Sequence, residues 1–206
     1  MYTLSYVLYG IGALFLISFI VFLVLFLMKK GNKRINLILF IVSIVISVGC
    51  FSFGGYHQYD IHHSEQIAND EFADNATKFT SLYKKALENT STVGDGLDSD
   101  WRDGIKEALE DAEEPDTDEI VNDSFDYNSD EKHDAESELT QLKKYLKEMD
   151  DYDTGTYDLK AYQVAYDKLE RMFNYITDAR VTFDTYHQNY PKYKEDAEKA
   201  YDNLNS

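Results

Sequence analysis

Two stretches decide the fold: Tyr6–Met28, YVLYGIGALFLISFIVFLVLFLM, and Ile35–Phe53, INLILFIVSIVISVGCFSF. Neither contains a charged residue. Each is about 20 residues long, which is what an α-helix needs to cross a hydrocarbon core of roughly 30 Å. Backbone polar groups in lipid must be satisfied within the segment, so both runs must be helical. The segment between them, Lys29-Lys30-Gly31-Asn32-Lys33-Arg34, holds the only charges before Asp60. Loops rich in Lys and Arg stay in the cytoplasm. The expectation is a multi-pass protein of the cell membrane: helices at about 6–28 and 35–53, a cytoplasmic loop at 29–34, and both termini outside. No basic residues precede the first run, as a cleavable signal peptide requires.

The charge balance divides the chain in the same place. All 38 Asp and Glu lie beyond Gly55, against the remaining 16 of the 20 Lys and Arg, a balance of −22. Residues 1–54 therefore read as a transmembrane hairpin in the lipid bilayer, and 55–206 as an acidic extracytoplasmic domain. About 150 residues suffice for one domain with a core. The one cysteine, Cys50, sits in the second apolar run, so the outer domain has no disulfide to draw on. Two prolines in 206 residues favour long helices over short strands. The fold class is all-α: the hairpin, then an elongated antiparallel helical bundle of coiled-coil-like character.

Small residues set how the hairpin packs. Ser43, Ser47, Cys50 and Gly54 recur at spacings that share one helix face. Gly10, Gly12 and Ala13 lie toward the outer end of the first run. Small residues let membrane helices approach closely, so the two sets should face each other. A second copy of the chain, a homo-oligomer, is the alternative occupant of that stripe. Met28 to Cys50 also resembles a bacterial lipoprotein signal: a basic start, an apolar run, then Gly49-Cys50. That motif places a large aliphatic residue where Ser47 stands, and a plain membrane-helix cysteine accounts for the same residue.

In the outer domain, Gly54-Gly55 is read as a bend. His57, His62 and His63 do not share a helix face, and no Cys completes a metal set. Ala68, Phe72, Ala76, Phe79, Tyr83 and Ala86 recur at helical spacing. That helix is expected to end near Asn89-Thr90-Ser91, before Gly94-Asp95-Gly96. A short helix then carries Trp101, Ile105, Leu109 and Ala112, up to Glu113-Glu114-Pro115. Residues 116–130 read as a turn-rich acidic loop with room for one helical turn around Ile120-Val121. A helix resumes after Ser129 with Ala135, Leu139, Leu142, Leu146 and Met149 on its stripe. The last long helix is expected from Thr156 to Asn189 on Tyr162, Ala165, Leu169, Met172, Ile176, Ala179, Phe183 and Tyr186. Tyr190-Pro191 should kink or end it.

Chemistry is sparse. Asp126, Asn128, Asp130 and Asp134 match four positions of a calcium loop, but Glu131 stands where glycine belongs and Ser137 where glutamate belongs. A turn and helix cap explains the same residues. Zincin, nucleophile-elbow and phosphate-loop patterns are absent, so the expectation is a non-enzymatic protein without a cofactor. The acidic outer part argues against nucleic acid, whose binding rests on Lys and Arg. Seventeen tyrosines point to contact surfaces. Tyr152, Tyr157, Tyr190, Tyr193 and Tyr201 fall where core duty is least evident. The function read from this is an interaction module engaging another envelope or membrane protein. The alternative is a surface protein that captures or senses cationic peptides or cations, in a protective or sensor role.

Overall fold

A computed structural model describes residues 3–28, 32–111, 114–178 and 181–205. Lys29, Lys30 and Gly31 of the basic loop lie outside them, as do Ala112, Glu113 and Ala179. Among the described residues the chain is all-helical, with no strand. Its helices are α1 (Thr3–Leu27), α2 (Lys33–Glu110), α3 (Thr117–Tyr127), α4 (Ser129–Asp151), α5 (Leu159–Thr177) and α6 (Phe183–Leu204). The chain forms two compact units, one up to Ile67 and one from Ala68, and the division falls inside α2.

In the first unit α1 runs antiparallel to the beginning of α2. Phe19 stacks on Phe40 at 4.6 Å between ring centroids, and Tyr9 on Phe51 at 6.1 Å. Ser47 Oγ donates to the Gly12 carbonyl at 3.1 Å, and Tyr9 Oη to Gln58 Oε1 at 3.0 Å. Polarity is inverted relative to a helix pair in water. Ser5, Gly12, Ser43, Ser47 and Gly54 are buried between the helices, while Leu14 and Val45 are 66% and 64% exposed. Both helices are long and apolar enough to cross a membrane. Gly54-Gly55 does not bend the chain. A Cβ at Gly54 would lie 3.0 Å from the Tyr9 ring, so glycine serves close approach within a continuous helix.

The second unit is a four-helix bundle in up-down-up-down order: α2 from Ala68, then α4, α5 and α6. Paired contacts fix the directions. Asn89 and Gly96 of α2 meet Glu138 and then Asn128 at the start of α4, and Lys168 and Tyr175 of α5 meet Asp196 and then Tyr193 of α6. Tyr83 and Tyr186 close the ring, donating to the carbonyls of Ala197 and Gly94 across the α2–α6 interface. Phe72, Phe79, Leu97, Trp101, Leu142, Met149, Leu169, Met172 and Ile176 fill the core.

Four expected boundaries are corrected. First, α2 does not stop at Asn89. Its buried positions 72, 76, 79, 83, 86, 90, 93, 97 and 101 keep steps of three and four straight through Gly94-Asp95-Gly96. The glycines there are points of contact. A Cβ at Gly94 would lie 2.4 Å from the Tyr190 ring, and one at Gly96 2.8 Å from Asn128 Nδ2. Second, residues 117–127 are helical. Asp116 caps α3 by accepting from the Glu119 N–H at 3.1 Å, and Asp118 and Glu119 complement its positive end. Ile120, Val121 and Phe125 of α3 pack on the core, Ile120 over Gly104. Third, the expected helix from Thr156 to Asn189 is two antiparallel helices. Thr182 starts α6 by accepting from the Thr185 N–H. Fourth, Pro191 neither ends nor interrupts α6. It is exposed, so water can satisfy the carbonyl its missing N–H leaves free, while Tyr190 and Ala197 anchor both sides.

Candidate functional site

An open groove of about 500 Å³ lies among the start of the second unit's α2 segment, the α4–α5 connection and the end of α6. Its walls are aromatic: Phe72, Tyr157, Tyr162 and Tyr201, with Leu204 and the Thr77 hydroxyl beside them. No lining residue is charged. Heptad spacing puts Phe72 on the buried stripe of α2, and Tyr162 on that of α5. Tyr157 is held by a structured connection. Gly155 takes a left-handed φ of 77°, where a side chain would be strained, and its N–H donates to Asp153 Oδ1 at 2.8 Å. Thr154 Oγ1 donates to Asn69 Oδ1 of α2 at 2.5 Å. Asp158 then caps α5, accepting from the Ala161 N–H at 3.2 Å.

The rings stand in two orientations. Tyr157 lies nearly parallel to Phe72, 4.9 Å between centroids and 9° between planes. Tyr162 stands edge-on to Phe72 and Phe79, at 80° and 85°. Tyr201 stacks on Tyr83 at 5.9 Å. Tyr157 remains 44% exposed, so part of its surface is open to a ligand. Burial pushes the Tyr162 phenol above its usual range, which keeps it a neutral hydroxyl. The site can offer π faces, apolar area and hydroxyls. It holds no nucleophile–base pair and no converging carboxylates.

The tyrosines singled out from sequence separate. Tyr157 and Tyr201 meet in this groove. Tyr152 is an exposed C-cap of α4. Tyr193 is half-buried against Tyr175, 4.5 Å between rings. Tyr190 is corrected to a core residue: 4% exposed, with its hydroxyl held between Asp95 Oδ1 at 2.7 Å and the Ser91 carbonyl at 3.1 Å. Phe72 and Tyr162, read only as core, prove to be walls of the groove. Their places at the ends of two stripes were the available signal.

The other candidates are placed as follows. Asp126 lies in the last turn of α3, Asn128 is the buried junction, and Asp130 and Asp134 lie on α4. Asn128 is committed to the protein, its Nδ2 donating to the Ser124 carbonyl at 2.8 Å. Among the described residues no three His, Cys, Asp or Glu side chains gather as a metal site would need. In the first unit Ser43, Ser47 and Gly54 are buried, and Cys50 is half-buried with its Cβ 3.3 Å from a Cβ built on Gly12. Gly10 and Ala13 are exposed, so Gly12 is the residue on which α2 closes.

Sequence alone missed the buried Glu138. Its Oε2 accepts from Asn89 Nδ2 at 2.9 Å, and its Oε1 lies 2.8 Å from Lys85 Nζ. Asn89 had the look of a helix end, which hid this role. Acidic charge is also concentrated: residues 95–138 carry 19 Asp and Glu against three Lys and Arg. No family model, curated protein or solved structure matches the chain.

Proposed function

We propose that this is a two-span protein of the cell membrane whose acidic helical bundle lies outside the cytoplasm. It acts without catalysis, by engaging another envelope or membrane protein. The observation that carries the reading is the contrast between the two units. One presents large apolar side chains outward and small polar ones inward, the arrangement lipid favours. The other has a filled core and an open, uncharged aromatic groove, the composition of a contact surface. The basic segment Lys29–Arg34 supports this orientation, since cytoplasmic loops carry an excess of Lys and Arg. Gly12 and Tyr9 contact α2 through Ser47 and Phe51, which favours an α1 retained as a partner helix over a removed leader.

Two measurements test it. With Cys50 replaced by serine, single cysteines at the exposed Ser137 and Asn32 are labelled on intact cells with a membrane-impermeant maleimide. Ser137→Cys should react at once and Asn32→Cys only after lysis; the reverse pattern ends the topology. For the function, a photo-crosslinking amino acid at Tyr157 should give a discrete adduct with a membrane protein in the native host. No adduct there, with the protein correctly inserted, ends the interaction reading. The 19-to-three charge ratio of residues 95–138 favours a second reading, capture of cationic peptides at the surface. Such binding would weaken steeply with added salt.

A further inference from the structure

We infer that Tyr6, Tyr56 and Tyr59 form a collar that seats one end of the α1–α2 hairpin in the ester-carbonyl and phosphate layer of a phospholipid bilayer. The inference rests on the membrane reading above and adds the depth of the hairpin and the lipid groups it meets. Four observations carry it. First, the exposed surface changes character along both helices. From Ile11 to Phe53 its large side chains are Leu, Ile, Val, Phe and Met; tyrosine joins them only outside that interval, at Tyr6, Tyr56 and Tyr59, each about two-thirds exposed. Second, the collar is level. Leu8 packs beside Gly54, Ser5 Oγ lies 3.4 Å from His57 Nδ1, and a Cβ on Gly12 would lie 3.3 Å from that of Cys50. That register puts Tyr6 on a level with Tyr56, and Tyr59 lies one turn further along α2. Third, the spacing fits. Tyr6 and Leu27 on α1, like Ile35 and Tyr56 on α2, are 21 residues apart. That is about 32 Å of helix, against a hydrocarbon core of roughly 30 Å. Fourth, polar groups begin here. The Ser5–His57 contact and the Tyr9–Gln58 bond lie at this end, and Asp60, one turn past Tyr56, is the first charge after the basic loop.

These features select the occupant. Water alone would leave three aromatic rings hydrated, and hydrocarbon alone would leave three hydroxyls without partners. The boundary layer satisfies both halves of each side chain. The ring packs beside the glycerol backbone and upper acyl chain, and the O–H donates to an ester carbonyl or phosphate oxygen. A protein partner would have to change from apolar to polar at the same level on both helices. The lipid acceptors are common to glycerophospholipids, so the collar needs no particular headgroup charge.

The test uses the full chain, with Cys50→Ser, in vesicles of dioleoylphosphatidylcholine. Val45→Cys, Val48→Cys, Phe53→Cys, Asp60→Cys or His63→Cys, all at exposed positions, each carry a nitroxide in turn. Electron paramagnetic resonance reads the accessibility of each label to oxygen relative to a water-soluble nickel complex. Labels at 45 and 48 should favour oxygen and those at 60 and 63 the nickel complex, with the crossover between Phe53 and Asp60. Tyr6→Leu, Tyr56→Leu and Tyr59→Leu together should move the crossover about one turn, or 5 Å, toward His63. Tryptophan at the same three positions keeps an amphipathic ring and should leave it in place. Two results overturn the inference while the membrane reading stands: a crossover outside 53–60 with the label at 45 still in lipid, and an unmoved crossover in the leucine variant. Nickel accessibility at 45 and 48 as well ends both.

Discussion

Replacing Gly94 with alanine should destabilise the bundle, although alanine is the better helix former. Inside a helix the exchange by itself stabilises by about 1 kcal/mol. At this position the new methyl would sit 2.4 Å from Tyr190 Cε2 and 2.5 Å from Cζ, so the ring must move. The ring is poorly placed to yield. It stacks on Tyr186 at 5.4 Å, and its hydroxyl, with one proton to give, is held between Asp95 Oδ1 at 2.7 Å and the Ser91 carbonyl at 3.1 Å. Overpacking costs about 1–3 kcal/mol, and losing the bond to the carboxylate roughly 1.5–3 more. Net of the helix gain, the loss is about 1.5–5 kcal/mol, equivalent to a fall of roughly 5–20 °C in melting midpoint for a unit of this size. Trp101 is the chain's sole tryptophan and is buried in this unit, so its fluorescence follows the bundle directly. A double-mutant cycle isolates the cause. With Tyr190→Ala in place the clash is gone, and Gly94→Ala should become neutral or mildly stabilising. A raised midpoint for Gly94→Ala in the otherwise native chain would refute the reasoning, since it would mean α6 does not rest on that glycine.

Asn89→Ala removes the amide that Glu138 Oε2 accepts from within the bundle, leaving a buried carboxylate short of a donor; a loss of about 1–3 kcal/mol is expected in denaturant titration of the same fluorescence. In the first unit Ser47→Ala deletes the bond to the Gly12 carbonyl and should cost roughly 0.6 kcal/mol. Gly12→Leu should cost more by forcing α2 away, and both can be read from loss of the α1–α2 pairing under SDS titration. Alkaline pH should unfold the bundle. Burial holds the phenols of Tyr83, Tyr186 and Tyr190 above their usual range, so the folded chain keeps protons that the unfolded chain releases above about pH 10. Stability is then constant below that point and falls above it by up to about 1.4 kcal/mol per pH unit for each phenol. Tyrosinate absorbance at 295 nm should show these groups ionising together with unfolding; smooth, independent titration in a folded chain would contradict their burial.

The apolar runs, the α4 stripe and the α5 stripe could be read directly, because periodicity and length are visible without knowing what packs on them. The differences share one origin: punctuation residues carry a local signal, and long-range packing overrides it. Gly94 and Gly96 look like breaks, yet each makes room for a side chain from elsewhere, Tyr190 or Asn128. The stripe through Thr90, Val93 and Leu97 was present in the sequence and was the better guide. Between Ile176 and Phe183 the reverse occurred. The interval is one heptad, so the pattern passes through the chain reversal undisturbed. The α3 helix was hidden because eleven residues with a mostly acidic face give too short a pattern. The groove drew on four separate segments, and only Tyr157 and Tyr201 stood out beforehand. Phe72 and Tyr162 become walls only once α2 and α5 meet across the bundle.

The position of the lone thiol has a practical and a biological consequence. With Cys50 confined to the first unit, everything holding residues 68–205 together is reversible and independent of any oxidant. That region has no disulfide to form or rearrange, so a reducing environment leaves it intact. Once Cys50 is exchanged for serine, any reporter thiol introduced on the bundle stands alone, giving a clean background for spectroscopic labels.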